Sequence, residues 1–597
     1  MTKTHMLTRV ESDDNSTLPE FSRRDFLRWV TVSAGSIVAT QLIGCGGGTS
    51  STAPSDTMLS EPPTLRPTNG VLTMDLIAEY SSQPIALRAA GPTSNVYQSP
   101  NPPIETRLRR YSGSFPAPTL RVKAGDTIKI RLINRLPPSP SNSSSLSFLN
   151  HQNSTNLHFH GLHVSPKKFL INGQEVYGDY VVDAPDAGVL PGTERQHVIE
   201  VPEDHPPGIF WYHPHLHGSS GAQVSSGMFG AIIVEGGANE LFDPQLAPER
   251  VIFVHKHNLT VAGLTDSLND SAVPDPSVFL LNGAYQPTIV MRPGEVQIWH
   301  FINSATFYSF NPLLDGHTMQ AFARDGDPIP EVFRPINAAT VAQFANPNWQ
   351  SNIQGWPGTF ASPGSRISVI VKASDTPGDY LLRSMLSPWT NNVNIPIYEE
   401  VVARIQVQGT PVQAVLPPAS KFVPNRDFAP ILAEEVAASG GETRNLILGV
   451  FALNSPRLPP FPSGEEWVLP QGEGGVLSSL VFGTGSPVNS DKVYPFQSAT
   501  GAAIVSQTVN LGAVEEWTIT TLDGFPHPFH MHVNDMYVVK VNGQSLAQPY
   551  WADTLTIPPN GSITFRVRFK DFDGAFVWHC HVLEHEDLGM MQLVTVI

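Results

Sequence analysis

The sequence predicts an all-β protein built of three sandwich domains, and three observations carry that expectation. Proline (55) and glycine (47) punctuate the 597 residues between runs rich in Val, Ile and Thr, as in strands joined by tight turns. A strand–turn–strand unit recurs three times. Pro118–Val122 leads through Gly125-Asp126 into Thr127–Asn134, Pro287–Val290 through Pro293-Gly294-Glu295 into Val296–Asn303, and Gln507–Val509 through Gly512-Ala513 into Val514–Thr520. The first and third copies share a longer pattern that the second lacks. Asn156–Gly161 pairs with Pro528–His532, Gly208–His215 pairs with Gly574–His581, and each copy closes with a strand, Gly227–Val234 or Gly589–Val596. The expected domains are 71–240, 245–410 and 430–597, with the middle one a spacer that lets the outer two meet.

Composition narrows the function classes. Hydrophobic content is 41% and charged content 15%, which suits large cores. The net charge of −17 repels phosphate backbones, so nucleic acid is not an expected partner. The N-terminus carries a targeting pattern over 1–45. Ser22-Arg23-Arg24-Asp25-Phe26-Leu27 is a twin-arginine pattern, and the apolar stretch Trp29–Ile43 is short for a membrane span, which predicts a cleaved export signal. Leu42-Ile43-Gly44-Cys45 resembles a bacterial lipobox, which predicts a lipid anchor on Cys45 and a periplasmic or cell-surface location. Residues 46–70, dominated by Gly, Ser, Thr and Pro, read as a flexible tether. With Cys45 lipidated, Cys580 is the lone thiol, which survives oxidising conditions best when buried or metal-bound. A short helix is expected within Ile431–Ala438, and the loops Leu136–Thr155 and Asn454–Gly475 are expected to frame access to a site.

The chemistry is concentrated in four His-X-His units, at 158/160, 213/215, 530/532 and 579/581. Residues i and i+2 of a strand share a face, so each unit projects two imidazoles side by side. One such unit is weak evidence. Four, placed alike in two related domains, point to a shared cluster of metal ions. A second set surrounds the last two units: His527, Cys580, His585 and Met590. Two imidazoles, a thiolate and a weak axial thioether make a blue-copper electron-transfer site; zinc would need no such methionine. The first-domain counterparts of His527, Cys580 and His585 are Thr155, Pro214 and Ser219, so the soft-ligand set belongs to the third domain alone. In the second domain, His255-Lys256-His257 reads as a solvent-facing pair. His163, His205 and His217 read as supporting or surface groups.

The motifs His158-Phe-His-Gly, His213-Pro-His215, His527-Pro-Phe-His530-Met-His532 and His579-Cys-His-Val-Leu-Glu-His585-Glu-Asp-Leu-Gly-Met590 resemble the four copper motifs of the multicopper oxidases. The resemblance spans about residues 71–597, and no motif ligand is missing. It implies cupredoxin-like Greek-key sandwiches and four copper ions. His527, Cys580, His585 and Met590 would hold the type 1 copper. His158 and His530 would hold the type 2 copper. His160, His213, His215, His532, His579 and His581 would hold the binuclear type 3 pair. Electrons from a reductant would pass one at a time through Cys580 and its covalent neighbours to the cluster, where four of them reduce dioxygen to water. Glu586 matches a position where the family places a proton-supplying acid; Asp179, in the loop after the first motif, is a second candidate that also reads as a turn residue. Met590 fits the bacterial type of modest oxidising power.

The activity so implied is laccase-like, with phenols or similar one-electron donors and a monomeric enzyme. The alternatives are a cuprous-ion oxidase, a bilirubin oxidase, a non-catalytic cupredoxin scaffold and a copper nitrite reductase. No methionine lies between Met385 and Met531, against a Met-rich cuprous type, while Glu584 and Asp587 leave metal oxidation through carboxylates open. The complete ligand set disfavours the scaffold, and the three-copy pattern disfavours the reductase.

Overall fold

The computed structural model describes residues 57–85, 104–138, 152–183, 188–236, 247–258, 277–329, 334–342, 361–385, 400–416, 429–451, 478–482, 493–494, 505–521, 526–587 and 589–597. The export signal, Cys45, the loop Asn454–Gly475 and most of Leu136–Thr155 lie outside them. The described residues are all-β, in six sheets that pack as three sandwiches. In the first, a five-stranded sheet ordered Thr64–Leu65, Ala117–Val122, Gly230–Val234, Gly208–His213, His158–His160 faces a six-stranded sheet centred on Val71–Ile85 and Thr127–Asn134. In the third, a five-stranded sheet ordered Val505–Val509, Met591–Val596, Gly574–Cys580, His527–Met531, Thr554–Ile557 faces a seven-stranded sheet built around Val514–Thr521 and Ser562–Arg568. The two five-stranded sheets share their pairing. His213 stands opposite His158 in one, and His579 opposite His530 in the other. The expected short helix is Ala433–Ala438.

Strand alternation decides what each sheet buries. Within Gly208–His213, Phe210 and Tyr212 enter the core of the first sandwich. Ile209 and Trp211 point out, into a second apolar cluster with Val251, Phe253 and Leu280 of the middle sandwich and Leu583 of the third. Side chains of this size stabilise by roughly 1.5–3 kcal/mol each when fully buried. The middle sandwich is therefore joined to the first by an apolar core.

Two expectations change. Residues 57–70 are not a free tether: Thr64–Leu65 adds a parallel strand against Thr119 and Leu120, and Leu59 N–H donates to Thr288 O at 2.9 Å. His255 is not solvent-facing. It is buried against Phe115 and Phe229, with Nε2 2.9 Å from Ser225 O and Nδ1 3.3 Å from Ser304 Oγ. Alternation alone could not show that the first sandwich covers this face.

His205 is also buried. Its Nδ1–H donates to Pro206 O (2.8 Å), and its Nε2 accepts the backbone N–H of His163 (3.0 Å), which only a neutral ring can do. Burial, the largest influence, pushes it from 6.5 down to about 4. The unfolded chain therefore takes up this proton near pH 6.5 while the fold refuses it. This contribution is level above pH 6.5 and costs ~1.4 kcal/mol per pH unit as pH falls toward 4. Urea unfolding at pH 7, 6 and 5 should show a shallower acid loss in His205→Gln than in wild type; equal slopes would contradict a neutral His205.

Candidate metal centre

The same alternation sorts the histidines. In His527–Met531, Phe529 and Met531 enter the core of the third sandwich, so His527 shares that inner face and His530 turns outward. In Gly574–Cys580, Phe576, Trp578 and Cys580 face the core, so His579 turns outward. In the first sandwich Leu157 and Phe159 are core residues, which sends His158 and His160 out. One set of donors thus sits inside the third sandwich, and the other lies between the first and third.

The inner set surrounds the sulfur. Cys580 is fully buried, with Sγ 3.5 Å from His527 Nδ1 and 3.6 Å from His585 Nδ1, and the three donor atoms lie within 4.8 Å of one another. Met590 is buried in the same core. Its N–H donates to His585 O (2.8 Å) and its carbonyl accepts Cys580 N–H (3.0 Å), so the backbone fixes it beside both. Of these four, His585 alone is only partly buried, which makes it the edge nearest solvent.

The outer set brings eight imidazoles together. Three Nε2 atoms converge: His215 lies 3.0 Å from His579 and 3.2 Å from His532. His213 Nε2 lies 3.4 Å from His160 Nδ1, and the His581 ring stands 5.1 Å from that of His160. His158 stacks on His532 and His160 on His530, each pair 3.7 Å apart. Partners behind the rings decide which nitrogen faces inward. Asp179 takes His158 Nδ1 (2.8 Å) and the Phe159 N–H (2.9 Å); Pro214 O takes His213 Nδ1 (2.9 Å); Asp553 O takes His530 Nδ1 (2.8 Å). The inward Nε2 atoms of His158 and His530 are then buried without a partner, as are both ring nitrogens of His581. Leaving such groups unmatched costs about 1–3 kcal/mol each, which a metal ion would relieve.

Electrostatics agrees. Burial pushes His213 down to about 3 and His530 down to about 4. It holds His158, His160, His215, His532, His579 and His581 well below 6.5, with neighbouring imidazoles adding to the effect. All eight are therefore neutral lone-pair donors at neutral pH. Two carboxyls flank them. Glu586 is held well above the carboxylate range by burial, with Oε2 3.2 Å from His579 Nδ1 and Oε1 3.6 Å from His215 Nδ1. Asp179 is pushed up to about 7 by burial.

The sequence reading missed four supports. Arg366, from the middle sandwich, forks onto Asp553, whose Oδ1 lies 3.3 Å from His160 Nε2. Gly364 (φ +86°) lies so close to His581 that a Cβ would stand 2.6 Å from its ring. Gly161 (φ +84°) leaves room for Arg366 and Asp553. Asp587 accepts the N–H groups of Gly218 (2.8 Å), Ser220 (3.2 Å) and Gly221 (2.8 Å), joining the third sandwich to the helix Ser220–Ser226 of the first. Asp587 is thus committed inside the protein and is not free to bind a metal-ion donor. The middle sandwich is more than a spacer, because it supplies part of the wall. An arginine opening the apolar run Ile367–Val371 was the one local oddity in the sequence, and it did not show the partner.

Comparison with known proteins decides the family. Two family models described as multicopper oxidase match residues 94–239 and 486–597, the segments that carry the four motifs. The first and third sandwiches are multicopper oxidase domains. The chain is similar to an iron transport multicopper oxidase of Saccharomyces cerevisiae (24% identical, covering 81% of this chain and 75% of that one). It is also similar to a laccase of Botryotinia fuckeliana (22% identical, covering 80% and 77%). Among solved structures, a multi-copper oxidase from Pediococcus acidilactici shares the fold with a TM-score of 0.62 at 18% identity, covering 91% of this chain and 92% of that one.

As a multicopper oxidase the protein is a copper-dependent oxidoreductase that uses dioxygen, and the family binds four copper ions. The donors here fit that cofactor, with thiolate and thioether inside and imidazole outside. Copper removal should lower the Tm, and copper readdition restore it. Free copper at about 1,000 times its Kd stabilises by ~4 kcal/mol per site. Calorimetry showing one Tm with and without chelator would refute metal binding. Cys580→Ser should lose the blue colour and one copper per chain by elemental analysis while keeping the other three.

Proposed function

We propose that this multicopper oxidase is a laccase-like enzyme that takes single electrons from phenols, aromatic amines or similar donors at the His585 edge. His527, Cys580, His585 and Met590 would hold the type 1 copper, His158 and His530 the type 2 copper, and His160, His213, His215, His532, His579 and His581 the type 3 pair. Bound copper supplies the one-electron redox steps and holds the four electrons that dioxygen takes up. Cys580 links the two sites covalently, because its chain neighbours are His579 and His581. Glu586 and Asp179 flank the imidazoles at hydrogen-bonding range and would hold the protons that oxygen reduction consumes.

The surface beside His585 carries the choice of donor. Leu583 N–H donates to Thr306 O (3.1 Å), which docks the middle-sandwich loop beside the helix Leu583–Asp587. The next residues, Phe307 and Tyr308, are 43% and 37% exposed, with rings edge to face at 5.5 Å. Tyr308 is steadied by Asn303 Nδ2–H on its carbonyl (2.9 Å) and by Lys256 Nζ, 5.0 Å from its ring centre. Exposed aromatic faces on the loop that docks against the helix carrying His585 suit a flat organic donor. A metal-ion donor has Glu584 as its exposed carboxylate there.

The twin-arginine pattern and Leu42-Ile43-Gly44-Cys45 support export to the periplasm or cell surface, with a lipid on Cys45, and we propose a monomer. The test of function is oxygen uptake by copper-loaded protein with phenols, cuprous ion and bilirubin in parallel. Phenols should be preferred, and Phe307→Ala with Tyr308→Ala should raise their KM several-fold while leaving cuprous oxidation unchanged. Strong preference for cuprous ion would replace this reading.

A further inference from the structure

We propose that Arg366 of the middle sandwich is a positioning residue for the histidine centre: it holds the Asp553 carboxylate in place to orient His160. The inference rests on the reading that these histidines bind copper. Arg366 Nη1 donates to Asp553 Oδ1 at 2.8 Å and Nη2 to Oδ2 at 2.6 Å, a two-pronged pairing that fixes the carboxylate plane. The guanidinium is fixed in turn. Its Nε donates to Ile209 O of the first sandwich (3.1 Å), and Nη2 also donates to Asp325 O of its own (2.7 Å). One side chain thus touches all three sandwiches, at a point where neither Arg366 nor Asp553 reaches solvent.

Asp553 uses that fixed position twice. Its Oδ1 faces His160 Nε2 at 3.3 Å, which draws the ring N–H to that side and leaves Nδ1 facing His213. Its backbone carbonyl accepts His530 Nδ1–H at 2.8 Å, which leaves Nε2 facing inward. Thr554 Oγ1 donates to the same Oδ1 at 2.7 Å and completes its coordination. Asp553 therefore selects the ring form of two histidines from different sandwiches. A lysine at 366 keeps the charge but cannot present two parallel N–H groups. An asparagine at 553 keeps the shape but loses the anion that Arg366 grips.

The test compares wild type, Arg366→Lys and Asp553→Asn for copper per chain at limiting free copper, for electron paramagnetic resonance of the outer centre and for blue absorbance of the Cys580 site. Wild type should bind four coppers; a wild type that binds none overturns the parent reading and this one with it. Both variants should keep the blue absorbance and lose about 10- to 100-fold in affinity at the histidine centre alone. Four coppers with unchanged spectra in either variant would overturn the proposal. So would a parallel loss of both centres with a lower Tm, because that is what a clamp between sandwiches would give.

Discussion

The structure depends on one constraint of the β-strand: neighbouring side chains point to opposite faces. At 579–581 the chain leaves one sheet with its sulfur in the core of the third sandwich and the flanking imidazole of His579 in the gap between sandwiches. A single peptide segment therefore belongs to two environments. One is the apolar core of the third sandwich, which suits soft ligands, and the other is the seam between the first and third sandwiches, which needs a second sheet to close it. No helix would place a cysteine and its neighbour so.

The outer histidine set is costly to bury without a metal. Eight neutral imidazoles are buried with several nitrogens lacking partners, so the interface is built for metal rather than for apolar packing. Rigidity comes from elsewhere: the apolar core around Trp211 and Phe253, the Asp587 carboxylate on the helix Ser220–Ser226, and the Arg366–Asp553 pair. Each spans at least two sandwiches, so the fold itself holds the donors' backbones in place, as a pre-organised site requires.

Much of this was legible in the sequence, because strand repeats and His-X-His spacing follow from a period of two. The two clusters of histidine, cysteine and methionine side chains could be read from the motifs, and the all-β class from turns and β-branched runs. What escaped was everything that depends on how sandwiches meet. His255 looked exposed because nothing local shows Phe115 and Phe229 covering it. Asp587 looked like a metal-facing carboxylate, yet three amides from another sandwich claim it. Arg366, Asp553, Gly161 and Gly364 fall outside any ligand motif, and their roles arise only from long-range contacts. Residues 57–70 read as a tether because their composition hides a short parallel strand.

The central claim is that one ion sits inside the third sandwich on the sulfur while the others sit between sandwiches. Copper-edge anomalous diffraction from crystals of the loaded protein measures this directly. One peak is expected at bonding distance from Cys580 Sγ, with three more bound jointly by histidines of the first and third sandwiches. Peaks held by residues of one sandwich only, or none at the sulfur, would contradict it.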